Sequence, residues 1–224
     1  MKIKIIKCLL IIFITIFFLV FIDFCVIRPY IAEFYALRGK HSLYLNNFQE
    51  AISNFEYAAE LDPYNGRVIL NLGATYLNTG FLNKSEIYLN KAKQIYSDGN
   101  INLDLGLLYL ERGEYEKAKM EIEHSIYLKS NFSKARFNLG RLYYIQEKYD
   151  QAIKEWEELL NFDPEFSGKH IILFNLGIVY KKKEMPDKAL EYFLQALQLT
   201  PDGSPIIEEI EGEIYNIYKD KLEE

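Results

Sequence analysis

The sequence predicts an all-α protein in which one membrane-spanning helix precedes five stacked helical hairpins and a final capping helix. Three observations predict it: an apolar run of twenty residues near the N-terminus, a glycine that returns about every 34 residues, and apolar residues at three- and four-residue steps around each glycine. The 224 residues are 50% apolar and 15% aromatic, which excludes wholesale disorder.

The apolar run extends from Cys8 to Ile27 and follows three lysines that lie within the first seven residues. Sixteen of its twenty residues are Leu, Ile, Phe or Val. As a helix the run spans about 30 Å, the thickness of one hydrocarbon core. Its side chains favour insertion by about 5–10 kcal/mol, whereas Asp23 opposes insertion by at most about 3 kcal/mol. We therefore expect an uncleaved transmembrane anchor over residues 8–28, and a cytoplasmic N-terminus over residues 1–7.

The expected orientation follows from the N-terminal lysines, Lys2, Lys4 and Lys7. The positive-inside tendency places them in the cytoplasm and the hairpins outside it, and cytoplasmic hairpins are the alternative. An exported soluble factor released by signal cleavage also remains open, although the run is longer than a usual signal core and no small-residue cleavage site follows it. Cys8 and Cys25 lie about 25 Å apart along one helix, so they cannot form a disulfide with each other.

The distribution of charge and of reactive residues excludes several classes of protein. Residues 1–40 carry a net charge of +4 and the remaining 184 residues carry −10, which argues against a nucleic-acid partner. The histidines His41, His124 and His170 are far apart in sequence and form no zinc-ligand pattern with the two cysteines. No phosphate-loop, dinucleotide or zinc-protease motif occurs. We predict no enzymatic activity, no cofactor, no metal site and no small-molecule substrate.

A repeat pattern accounts for most of the chain. Leucine precedes four of the recurring glycines, and tyrosine follows four of them by three residues. An Ala or Ser follows each by twelve residues, and a large apolar residue follows by sixteen. Glycine within a helix costs about 1 kcal/mol relative to alanine. We therefore predict a steric role: glycine and the small residue let the two helices of a hairpin approach, and the large residues fill the space between successive hairpins. The glycines are Gly39, Gly73, Gly106, Gly140 and Gly177.

This set of residues resembles the tetratricopeptide repeat family, whose 34-residue helix–turn–helix unit carries an L-G-x-x-Y, A-x-x-x-F and P pattern. The resemblance covers about residues 32–201. The first unit departs from it by having Arg38 and Ser42 in place of the Leu and the Tyr, and the fifth follows an insertion near Glu165–Lys169. The implied units are approximately 32–65, 66–98, 99–132, 133–166 and 170–203.

The remaining residues, 204–224, are predicted to form an amphipathic helix that caps the open end of the solenoid. Glutamates dominate its polar face. The residues expected on its apolar face are Ile206, Ile210, Ile214, Ile217 and Leu222.

The resemblance implies that the first helices of the units line a concave groove. The positions expected to point into it are the second, fifth, sixth, ninth, twelfth and thirteenth of each unit. Asparagine recurs at the sixth position, where its amide suits the backbone of an extended peptide and apolar neighbours would hold its side chains. Alternatively, the asparagines bridge helices and their neighbours complete the core. The candidate partner-binding residues are Asn71, Asp104, Asn138, Asn175, Leu70, Leu103, Leu107, Phe137, Arg141, Tyr144, Phe174 and Ile178.

These expectations combine into a membrane-anchored scaffold or adaptor that binds a protein or peptide in its groove during assembly of a cell-envelope complex. A passive structural subunit that uses its outer faces is the alternative. The subtype that clamps the C-terminal carboxylate of chaperones is disfavoured, because only Asn71 fits its residue set and Asp104 has the wrong charge.

Overall fold

The computed structural model describes the backbone of residues 2–223 and the side chains of residues 9–220 and 222. Throughout the described backbone the regular elements are helices, which confirms the predicted all-α class. Some side chains on which the predictions depend lie outside the described residues. The predicted orientation depends on Lys2, Lys4 and Lys7, and the prediction that no disulfide joins the two cysteines depends on Cys8. The chain divides into two compact units, Met1–Asp104 and Leu105–Glu224.

The first unit begins with an apolar helix that continues into the first hairpin. A π-helical turn, Asp23–Ile27, joins the two helices without a break. Within this unit α2 packs against α3 and α4 packs against α5 as helical hairpins, and α3 contacts α4. The helices are α1 (Lys2–Ile22), α2 (Arg28–Tyr44), α3 (Phe48–Leu61), α4 (Gly66–Asn78) and α5 (Leu82–Ile95), and α6 (Gly99–Glu111) begins in this unit.

The end of the apolar run carries an ion pair that the sequence pattern did not predict. Arg28 Nε donates to Asp23 Oδ2 at 2.9 Å, five residues away across the π-helical turn. The pair neutralises the acid that opposed insertion. The helical stretch Leu9–Tyr44 contains an 18-residue window with a mean hydropathy of 3.1, none of it buried, so its length and composition allow it to cross a membrane.

The second unit repeats the hairpin arrangement. Here α8 packs against α9, α10 packs against α11, and α12 packs against α11. On α12, Ile210 and Ile217 are buried as predicted, whereas Leu222 is 87% exposed because it lies beyond the buried stretch of the helix. The helices are α7 (Tyr115–Leu128), α8 (Ser133–Ile145), α9 (Tyr149–Phe162), α10 (Lys169–Lys182), α11 (Pro186–Leu199) and α12 (Ile206–Glu223).

Each repeat glycine faces the large residue that follows it by sixteen positions in the same hairpin. A Cβ on Gly39 would lie 2.7 Å from the Phe55 ring, and one on Gly177 would lie 2.5 Å from the ring of Phe193. The large residues therefore lie on the glycine of their own hairpin, and Phe55 also shares a buried cluster with Leu72 and Tyr76 of the next hairpin, in keeping with the predicted packing between hairpins. The small residues are fully buried as well. The large residues, all 0–1% exposed, are Phe55, Leu89, Ile122, Trp156 and Phe193.

The turn within each hairpin adopts the same backbone geometry. In the fourth hairpin Glu147 has a φ of 58°, and the N–H of Lys148 donates to the carbonyl of Tyr143 at 2.9 Å. This is the Schellman ending of a helix, which places a left-handed residue just after the last turn. Glutamate in that conformation costs about 1–2 kcal/mol, so packing of the hairpin outweighs a local preference here. The equivalent positive-φ residues are Asn46, Gly80, Gly113 and Glu184.

The tyrosine of the repeat pattern ties a hairpin to the preceding one within each unit. In the first unit the Tyr76 hydroxyl donates to Glu56, and in the second the Tyr180 hydroxyl donates to Glu157 Oε1 at 3.4 Å. Tyr192 donates to the same carboxylate oxygen at 3.3 Å and stacks on Tyr180. Burial, together with the neighbouring carboxylates, raises the pKa of Tyr76 and of Tyr192, so both remain neutral hydrogen-bond donors at physiological pH.

Substitution of Gly140 tests whether the close contact between each repeat glycine and its large residue is required for stability. A Cβ at Gly140 would overlap the indole of Trp156, so we expect Gly140→Ala to destabilise the protein by about 1–3 kcal/mol. The matched control is Gly212→Ala in α12, where a Cβ meets nothing within 4 Å and helix propensity predicts a gain of about 1 kcal/mol. Urea unfolding followed by far-UV circular dichroism in detergent measures both, and equal effects would contradict the steric assignment.

Candidate functional site

A pocket of about 440 Å³ in the second unit brings together residues from three helices. It contains four of the predicted partner-binding residues, three from α8 and one from α10: Phe137, Arg141, Tyr144 and Asn175. Ile145, Trp156 and Ile171 complete the lining. The pocket is therefore built by two successive hairpins, and its walls are mostly aromatic and aliphatic.

Trp156 gives this pocket a fixed aromatic wall. The indole is 1% exposed, rests against Gly140, and donates from Nε1 to the backbone carbonyl of Phe137 at 3.1 Å. The Tyr144 ring lies 6.4 Å from the Trp156 ring, between centroids. Phe137 is supported by Phe166 from the loop before α10, with ring centroids 6.3 Å apart. The buried indole therefore supports the Tyr144 and Phe137 rings, which a ligand would contact.

Polar groups occur at two positions of the lining and differ in their partners. The guanidinium of Arg141 donates from Nη1 to Asn138 Oδ1 at 3.0 Å, and Asn138 Nδ2 donates to the carbonyl of Lys134 at 2.7 Å. Asn138 is 8% exposed, and its amide is already hydrogen-bonded to other residues of α8. Asn175 is half-buried, and no described residue hydrogen-bonds to its side chain. Its amide therefore has no partner among the described residues.

A smaller and more polar pocket of about 220 Å³ lies in the first unit. It contains one predicted partner-binding residue, Asn71, whose side-chain amide forms no hydrogen bond with a described residue. The remaining lining residues are Glu33, Ala36, Lys40, Asn65, Arg67 and Val68. The two units thus contain pockets that are lined by equivalent repeat positions but differ in chemistry.

The other predicted residues are distributed between core and surface. Leu103 and Phe174 are buried and lie outside the two pockets, and Phe174 packs on Phe193. Four predicted residues are half-buried outside these two pockets: Leu70, Asp104, Leu107 and Ile178.

Three pocket residues are missing from the set that the sequence predicted. The repeat pattern gives Trp156 a packing role alone, and its second role as a pocket wall follows from its contact with Gly140, which the pattern does not identify. Ile145 occupies the thirteenth position of the fourth repeat, which the expected groove positions include. Ile171 occupies the second position of the fifth repeat. Glu33 and Arg67 occupy the second position of the first and second repeats. The second position is among the expected groove positions, so the rule for those positions could have identified Ile171.

The described side chains offer no metal centre. No group of three or more His, Cys, Asp or Glu residues among them is placed to hold a metal ion. The candidate site is therefore characterised by its rings, one guanidinium and one amide.

Comparison with known families decides the type of repeat. Sequence profiles of the tetratricopeptide repeat match residues 100–132 and residues 131–202. Residues 100–202 therefore match the tetratricopeptide repeat. The matched residues include the whole pocket of the second unit, and the hairpins before residue 100 carry the same glycine and large-residue pairs.

Proteins with similar sequences have varied names. Anaphase-promoting complex subunit 3 of Schizosaccharomyces pombe is 24% identical over 176 residues, which are 78% of this chain and 26% of that protein. The type IV pilus assembly protein PilF of Pseudomonas aeruginosa is 24% identical over 147 residues, 65% of this chain and 58% of that protein. This chain therefore spans about a quarter to three fifths of the length of these two relatives.

Solved structures show the same fold. A structure of PilF from Pseudomonas aeruginosa superposes with a TM-score of 0.69 at 17% identity, covering 85% of this chain and 90% of that chain. YrrB, described as a TPR protein with an unusual peptide-binding site, superposes with a TM-score of 0.57 at 22% identity, covering 75% of this chain and 86% of that chain. Both likenesses support the tetratricopeptide solenoid as the fold class.

Proposed function

We propose that this protein is a membrane-anchored adaptor that binds a protein or peptide partner in the pocket of the second unit and performs no catalysis. The observation that carries the proposal is the convergence of Phe137, Arg141, Tyr144 and Asn175 on one pocket. Rings supply apolar contact, and the Asn175 amide offers a donor and an acceptor that match the backbone of an extended peptide. The peptide-binding site described for YrrB supports this use of the repeat.

The membrane part of the proposal rests on the apolar helix. Its hydropathy and exposure suit lipid, and pairing with Arg28 offsets part of the cost of placing the Asp23 carboxylate near the membrane. We propose one span over residues 8–28 with the N-terminus in the cytoplasm and the repeats outside it. The likeness to a pilus assembly protein supports a role in assembling an envelope complex.

A second candidate function is that of a structural subunit that binds through its outer faces. Met120 and Tyr127 on α7 support it, because these large side chains are 70% and 82% exposed and lie outside the pocket lining. The likeness to a subunit of the anaphase-promoting complex is in keeping with that role.

Affinity purification of two paired variants separates the two candidates. We expect Tyr144→Ala/Asn175→Ala to reduce recovery of the partner by about tenfold, because truncation of central contacts carries most of a binding energy. Met120→Ala/Tyr127→Ala should retain the partner. The measurement is quantitative mass spectrometry after mild detergent extraction, with circular dichroism showing that each variant is folded. Loss in the α7 variant alone would favour the structural subunit, and recovery unchanged in both would contradict the adaptor.

Topology is tested by mass and by protease access. We expect the uncleaved chain of 26.4 kDa in the membrane fraction, with its repeats digested when protease is added to spheroplasts. A shortened soluble product would show signal cleavage and an exported factor. Full protection of the repeats in intact spheroplasts, with digestion after lysis, would place them in the cytoplasm.

A further inference from the structure

The pocket contains a positive charge that no acid of the described chain neutralises. Two arginines lie on α8 and differ in this respect. Arg136 donates to Glu155 at 2.8 Å and to Glu158 at 2.7 Å. Arg141 donates only to the neutral amide of Asn138, and no described carboxylate pairs with it.

The surroundings of Arg141 make this charge effective. The pocket lining contains no carboxylate and consists otherwise of Asn175 and aromatic or aliphatic residues. Arg141 is itself half-buried. A charge at such a site is less screened than one in bulk water, so an anionic group that enters the pocket is attracted strongly. The planar guanidinium also matches the two oxygens of a carboxylate.

Asn138 fixes the position of this guanidinium. Its amide is buried, is held by the carbonyl of Lys134, and accepts from Arg141 Nη1. Asn138 is therefore a positioning residue for Arg141, whereas the sequence suggested that it contacts a peptide directly. A held guanidinium loses less conformational entropy when a ligand binds.

We propose that the pocket recognises a short peptide motif in which a large apolar side chain and a carboxylate are two residues apart. In an extended peptide such residues point to the same side and lie about 7 Å apart. The apolar side chain would enter between Tyr144, Ile145 and Ile171, next to the buried indole of Trp156, while the carboxylate pairs with Arg141. This inference rests on the proposed function, because it names the class of partner for the same pocket.

The chain contains one tryptophan, Trp156, and that residue lines the pocket, so its fluorescence reports occupancy there. The probes are four decapeptides with a Gly/Ser frame that carry Phe-x-Asp, Phe-x-Asn, Ala-x-Asp or Ala-x-Asn. They are titrated into the full chain in detergent. We expect the affinity for Phe-x-Asp to be at least about tenfold higher than for Phe-x-Asn. A hydrogen bond from arginine to a carboxylate is stronger than one to a neutral amide. Arg141→Gln should remove this discrimination and retain the preference for Phe over Ala.

Lys154→Gln is the matched control, because it removes one positive charge from an exposed position of α9 outside the pocket lining. It should leave the discrimination intact. Equal binding of Phe-x-Asp and Phe-x-Asn, or loss of discrimination in the Lys154 variant, would overturn the acidic motif.

A randomised decapeptide library displayed on phage separates this inference from the proposed function. Selected peptides that pair a large apolar residue with an acid would support the motif. Selected peptides without acids would overturn the motif while leaving a peptide pocket in place. Recovery of no pocket-dependent binder would overturn the proposed function and the motif together.

Discussion

The contact between a bare glycine backbone and a large side chain of the facing helix determines the rest of this structure. Gly39 and Gly177 meet phenylalanine rings at distances that leave no space for a Cβ atom, and the other repeat glycines are equally crowded. Helix propensity disfavours glycine at each of these positions, so close packing of the hairpin outweighs that cost. The same packing holds Glu147 and Glu184 in a left-handed conformation at the turns.

The candidate site depends on the same contact. In the fourth hairpin the large residue is Trp156, and the space above Gly140 allows its indole to reach the carbonyl of Phe137. The other hairpins carry Phe, Leu or Ile at this position, so the described residues contain one such indole wall. The pocket combines this wall with the guanidinium of Arg141, which Asn138 holds. A packing constraint thereby positions residues that we propose to bind a partner.

The sequence predicted the helices because two local signals agreed: the regular recurrence of glycine and the three- and four-residue spacing of apolar residues. It predicted less well which asparagines are available. Asn138 and Asn175 each begin an Asn-Leu-Gly triplet. Asn138 is buried and hydrogen-bonded, whereas Asn175 lines the pocket without a partner among the described residues. Part of the difference is the residue three positions later, Arg141 in one case and Ile178 in the other. The Asp23–Arg28 pair depends on a π-helical turn, which spacing rules for an ordinary helix do not predict.

A double-mutant cycle between Gly140 and Trp156 tests the central contact most directly. Neighbouring residues that interact show non-additive effects on the free energy of unfolding, whereas independent residues show additive ones. In the Trp156→Ala background the overlapping side chain is removed, so Gly140→Ala should lose its cost and become neutral or stabilising, with a coupling energy of about 1–3 kcal/mol. An unchanged cost of Gly140→Ala in that background would show that Trp156 does not require the glycine, and would contradict this account.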